Sequence, residues 1–140
     1  MTIGKVKMNN NKELMQRYHK AWSNRDLEKL RTMLDDNCIT YNLATGEERN
    51  VSFETEACEI WHQSFDNVQV NIQQMVAEDD KVTVYWLLSS THTKEFMNIK
   101  ATNKDVQVPG MEINRIVDGK IVEIWRLSDT MSLMQQLDAI

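Results

Sequence analysis

The sequence predicts an α+β domain in which helices cover one face of a curved, mostly antiparallel sheet. Three observations carry that reading. Apolar residues in the first third recur at helical spacing, those after Val68 alternate in strand fashion, and Asp118-Gly119 marks a two-residue hairpin turn between two strand-like runs. At 140 residues, 41% of them apolar, a single domain over 1–140 can bury a core without disulfides or metal.

Residues 1–10 are polar and Asn-rich and read as a loose arm. From Lys12 to Trp22, the positions Leu14, Met15, Tyr18, Ala21 and Trp22 lie on one helical face. Ser23-Asn24-Arg25-Asp26 interrupts this helix and supplies capping side chains for a short second one, whose face is Leu27, Leu30, Met33 and Leu34. Cys38 to Leu43 reads as a strand closed by a loop at Gly46. A third helix spans Ser52 to Ser64, with Phe53, Ala57, Ile60 and Trp61 on one side.

The sheet follows. Val68 to Val76 is a strand, Glu78-Asp79-Asp80 a turn, and Lys81 to Thr93 a long strand with Val82, Val84, Trp86 and Leu88 on one parity. Residues 94–105 form a polar excursion. Val106 to Val117 is a strand in which Pro109-Gly110 predicts a bend or bulge. The strand after Asp118-Gly119 leads to a terminal helix over Met131 to Leu137.

Composition narrows the function. The formal charge of -5, with no basic stripe, argues against nucleic acid as a partner. No window has the apolar length of a membrane span and the N-terminus lacks a signal-peptide run, so a cytoplasmic protein with no membrane partner is expected. Cys38 and Cys58 form no CxxC and read as buried free thiols; the dispersed His19, His62 and His92 suggest no metal site. Nine Met and four Trp suit an adaptable apolar pocket as well as a plain core.

Asp129 is the first candidate for chemistry. Beside Trp125 and an apolar cavity, its carboxylate could transfer protons; placed before Thr130-Met131-Ser132, it could equally cap the last helix. His92, between two threonines, could orient a carbonyl or shuttle a proton, or be a hydrogen-bonded structural histidine. His19 and His62 read as structural. Arg115 and Glu112 precede the hairpin turn, whereas Glu123 and Arg126 follow it. Cross-strand ion pairing accounts for the four, and a buried member could instead anchor a polar ligand. Tyr18, Tyr41 and Trp61 could line a pocket or belong to the core, and Asn50 could cap the third helix or bond a ligand.

The ordered landmarks Met15-Gln16-Arg17-Tyr18, Phe65-Asp66-Asn67-Val68, Thr91-His92-Thr93-Lys94-Glu95-Phe96 and Gly119-Lys120-Ile121-Val122-Glu123-Ile124-Trp125, with Asp129 and Gln136-Leu137, resemble the SnoaL-like polyketide cyclases among the NTF2-like proteins. The resemblance spans residues 12–138. It implies a cone-shaped barrel built from a strongly curved sheet, enclosing an apolar cavity, often in a homodimer. It also implies aldol-type ring closure of a polyketide-like carbonyl compound without metal or organic cofactor, with a related isomerase or dehydratase using the same equipment. Asp129 falls on the family's acid/base aspartate, and His92 lies in a segment that would help orient substrate. Tyr18 and Asn50 fall near the family's pocket positions, while Trp61 and Trp125 are expected to contact substrate from their own places in the sequence, as a candidate pocket aromatic and as the aromatic near Asp129. Arg115 stands where a cyclase can place a histidine, and its fixed charge could stabilise an enolate. The alternative function is a non-catalytic small-molecule binding or dimerisation module on the same scaffold.

Overall fold

A computed structural model describes residues 2–140. Helix α1 (Ile3–Ser23) is capped by the Thr2 hydroxyl, which accepts from the Lys5 amide. The expected arm is therefore helical from Ile3 onward, while Met1 lies outside the described residues. Helix α2 (Leu27–Thr32) starts at Asp26, whose carboxylate accepts from the Lys29 amide. Strand β1 (Leu34–Asn42) begins earlier than Cys38, because Leu34 belongs to the sheet rather than to the helix before it. After the two-residue β2 (Glu48–Arg49), α3 (Ser52–Ser64) buries Glu54, Cys58 and Trp61, whereas Ile60 faces outward.

Four long strands complete the sheet: β3 (Phe65–Glu78), β4 (Lys81–His92), β5 (Asp105–Val117) and β6 (Lys120–Ser128), followed by α4 (Thr130–Gln136). The strand order is β2-β1-β6-β5-β4-β3. All neighbours are antiparallel except β1 and β6, which run parallel. This corrects the expected architecture. The sheet is open and mixed, not a strongly curved sheet closed into a cone-shaped barrel. Closure would require the two edge strands to pair, but the edges are the two-residue β2 and the 14-residue β3, which share no ladder. The helices cover one face instead.

Alternation decides what faces those helices. Val82, Val84, Trp86, Leu88, Ser90 and His92 of β4 point inward, as do Val106, Val108, Gly110, Glu112, Asn114 and Ile116 of β5. Expected disruption at Pro109-Gly110 does not occur: Leu87 pairs with Pro109 and Trp86 with Gly110 in unbroken register. The Pro109 carbonyl accepts from the Asp129 amide, so its missing N–H falls where β6 has already ended. The irregularity in this hairpin lies instead between Arg115 and Ile116. Asp118 and Gly119 both adopt positive φ, as the two-residue turn requires.

Candidate functional site

Between the helices and the inner sheet face lies a cavity of about 550 Å³. Its walls are mainly apolar. Trp22 comes from α1, Phe53, Ala57 and Trp61 from α3, Trp86 and Leu88 from β4, and Val108 from β5. Phe96 and Met97, from the excursion after β4, join Ala44 and Thr45 from the loop after β1. Trp61 is fixed by its indole N–H, which donates to Ser90 Oγ at 3.2 Å, and by stacking on Phe65 at 3.9 Å between centroids. Trp86 packs directly against Gly110, where a Cβ would sit 2.1 Å from its Cζ2 atom.

The polar part of the cavity is built on consecutive residues of α1, Tyr18 and His19, together with Thr40 and Arg126. Behind them sit two carboxylates, Glu54 of α3 and Glu112 of β5, each 1% exposed. Arg126 binds both. Its Nη1 and Nη2 donate to Glu54 Oε2 and Oε1 at 2.9 and 2.7 Å. Its Nε and Nη2 donate to Glu112 Oε2 at 3.2 and 2.9 Å. A guanidinium has five N–H donors, so one on Nη1 is left uncommitted at the cavity.

Glu54 is saturated. Besides Arg126, it accepts from the Tyr18 hydroxyl on Oε1 and from Thr40 Oγ1 at 3.2 Å on Oε2. Glu112 is not. Its Oε1 lies 2.6 Å from His19 Nε2, yet neither atom has a hydrogen bond of regular geometry. Two carboxylates thus face one guanidinium, with the His19 imidazole beside them.

Electrostatics follow from this arrangement. Burial by itself would raise the Glu112 pKa, but Arg126 and then His19 outweigh it and bring the carboxyl to about 2. Burial, reinforced by Glu54, pushes Tyr18 well above its ordinary value. Burial works against the Arg126 charge, yet Glu54 and Glu112 hold it well above the usual range.

Of the residues singled out from the sequence, Tyr18 and Trp61 line the cavity. Asp129, His92, Asn50, Arg115 and Trp125 lie elsewhere. Asp129 is exposed and caps α4, its Oδ1 accepting from the Ser132 amide at 2.9 Å, although its neighbours Ser128 and Thr130 reach the cavity. His92 is fully buried against Phe65; its Nδ1 accepts from the Thr102 amide at 3.2 Å and pins the excursion after β4. Asn50 is exposed and accepts from the Ser52 amide at the start of α3. Arg115 pairs with Glu123 at 2.6 Å, and Trp125 stacks on Tyr41, both on the outer sheet face.

Glu54 and His19 were missed as site residues, whereas Glu112 and Arg126 were read as cross-strand ion-pair members or, if buried, as an anchor for a polar ligand; they do pair, and Arg126 lines the cavity. A signal existed. Glu112 shares the parity of Val106, Val108 and Ile116, and Glu54 precedes Cys58 and Trp61 by four and seven residues, so each is a charge on an apolar face.

Among the described residues, no group of three or more His, Cys, Asp or Glu is placed to hold a metal ion. No described helix is long and apolar enough to cross a membrane.

A family model described as SnoaL-like polyketide cyclase matches residues 12–137. Among solved structures, AclR of Streptomyces galilaeus, described as "a putative hydroxylase", superposes with a TM-score of 0.88 at 26% identity, over 95% of this chain and 87% of that one. TsrD of Streptomyces laurentii has a TM-score of 0.83 at 23% identity, covering 94% of this chain and 97% of that one. IdmH of Streptomyces antibioticus, described as "a putative polyketide cyclase", also gives 0.83 at 23% identity, over 91% and 98%. The last two show the fold alone. No curated protein matches the chain.

Proposed function

The chain belongs to the SnoaL-like polyketide cyclase family within the NTF2-like proteins, and on that premise we propose a cofactor-independent, aldol-type ring closure of a polyketide-like carbonyl compound. Membership itself carries the coarser statement, an enzymatic role in polyketide-related biosynthesis. One observation supports the finer one. The apolar cavity of about 550 Å³ ends in a buried cluster that combines a base, a fixed cation and directed donors. Its size falls within the usual range for small-molecule sites.

The chemistry follows from those groups. A base removes a proton alpha to one carbonyl, and the enolate oxygen takes the free Nη1 donor of Arg126. The enolate carbon attacks a second carbonyl of the same molecule, forming the new C–C bond, and the protonated base returns its proton to the alkoxide. No atom is lost, and the aromatic walls exclude water that would compete for the enolate. The same equipment serves a double-bond isomerase or a dehydratase.

A linear aromatic β-polyketone tests the reading. Ring closure followed by mass spectrometry is expected to run faster with the protein than in matched buffer, with chelator present. Equal rates would remove the proposal. The resemblance assigns the base to Asp129, with His92 assisting. Asp129→Asn keeps the helix cap while removing the carboxylate. Loss of turnover in a folded variant would support that assignment, and full turnover would reject it. The cap bond to Ser132 favours a second reading, a non-catalytic binding module that holds the same class of ligand.

We also propose a homodimer formed through the outer sheet face. Val76, Thr83, Ile113, Trp125 and Tyr41 are cross-strand neighbours along one row of that face, with Met111 and Leu127 paired beside it. Val76, Met111, Ile113 and Leu127 are all exposed in the single chain.

A further inference from the structure

The donor and acceptor count leaves only part of the buried cluster available for chemistry. Glu54 accepts four hydrogen bonds, from Tyr18, Thr40 and twice from Arg126, at its four lone-pair positions, so it can accept no proton without breaking a bond. Glu112 Oε2 is committed twice to Arg126. What remains is Glu112 Oε1 with His19 Nε2, both buried and both short of a regular hydrogen bond. The order of these groups matters. His19 lines the cavity, whereas Glu112 sits behind it. His19 also lines a polar groove between α1 and β3, beside Gln16, Lys20 and Asn71, so the residue borders both the cavity and the groove.

We propose that His19 is the catalytic base of this cavity, with Glu112 as the positioning residue whose Oε1, 2.6 Å from Nε2, takes the Nε2–H on a small turn of the ring and leaves Nδ1 for the substrate proton. This deepens the cyclase reading by naming the group that moves the proton. The carboxylate fixes the imidazole tautomer and balances the imidazolium that forms. Arg126 then meets the oxyanion with its one free donor. In ring closure the imidazolium returns its proton to the new alkoxide.

The test uses 5-nitrobenzisoxazole, a small aromatic carbon acid that reports a base in an apolar cavity without reference to the natural substrate. His19 removes its C3 proton, the N–O bond breaks, and a cyanophenolate is released and read by absorbance. The protein is expected to exceed free imidazole at equal concentration, and His19→Gln to lose about 100-fold or more of the rate. Absence of any excess over imidazole overturns the proposal. So does a His19→Gln protein that keeps its rate, or loss on Asp129→Asn while His19→Gln stays active.

Nitrogen NMR of the unmodified protein supplies a readout independent of how the variants fold. His19 is expected with Nε2 protonated and Nδ1 bare, and Glu112→Gln is expected to release that tautomer preference. The opposite tautomer in the wild-type protein overturns the assignment. Turnover of this probe with no closure of any β-polyketone would reject the cyclase reading while leaving the base in place.

Discussion

Single residues in this protein are judged best by how completely their polar atoms are used. Glu112 illustrates it. Its carboxyl ordinarily titrates near 4.5 but is held at about 2 in the fold, because Arg126 and His19 outweigh the burial that would raise it. A depressed native pKa stabilises the fold above the unfolded value and loses that contribution as pH falls toward the folded one. Stability should therefore decline between about pH 4.5 and about 2, by an amount of order 3 kcal/mol for this group. Urea melts across that window are expected to show a shallower decline for Glu112→Gln than for the wild type. Gly110 makes the same point for packing. Gly110→Ala would force Trp86 off the β5 backbone, with a cost of about 1–3 kcal/mol and a changed tryptophan emission as the cavity wall moves. Unaltered stability together with unaltered emission would contradict that contact.

At the scale of elements, the ends of strands and helices decide where functional groups point. Alternation along β5 and β6 brings Glu112 and Arg126 side by side under the cavity and sends Arg115, Glu123 and Trp125 to the other face. Asp129 stands just after β6, at the junction with α4, where its carboxylate satisfies a free amide. Asp129→Ala is expected to cost about 1 kcal/mol in thermal or urea unfolding, whereas Asp129→Asn stays close to the wild type. Equal losses for both variants would mean that charge, not capping, accounts for the stabilising role. The His92 backbone and ring tie down residues 102–104, which carry the excursion bearing Phe96 and Met97 at the cavity. Its part in the element is to anchor a wall.

For the whole molecule, the helices use one face of the open sheet for the cavity and leave the other with a row of apolar side chains. A second copy is the occupant we propose for it. Light scattering is expected to give a dimer for the wild type and a monomer for Ile113→Lys combined with Leu127→Lys, since two cations there would have to be desolvated on association. A monomeric wild type would dismiss the interface. The face that lines the cavity and the face proposed for pairing are thus separated by the period of two along each strand, so changes on one need not disturb the other.

Local pattern was enough to read the bounds of α3, the β5–β6 turn and the inward stripe of β4, because apolar periodicity, Asp-Gly turn chemistry and strand parity are properties of neighbouring residues. The family was legible for the same reason, from short segments in a fixed order. The open sheet was not, since closure depends on whether two strands far apart in sequence share a ladder. Nor was the buried cluster. Tyr18, His19, Glu54, Glu112 and Arg126 come from four elements, and each alone reads as an ordinary polar residue. Only the tertiary structure decides which of their donors and acceptors are spent on one another and which are left for a substrate, because burial removes the water that would otherwise satisfy them all.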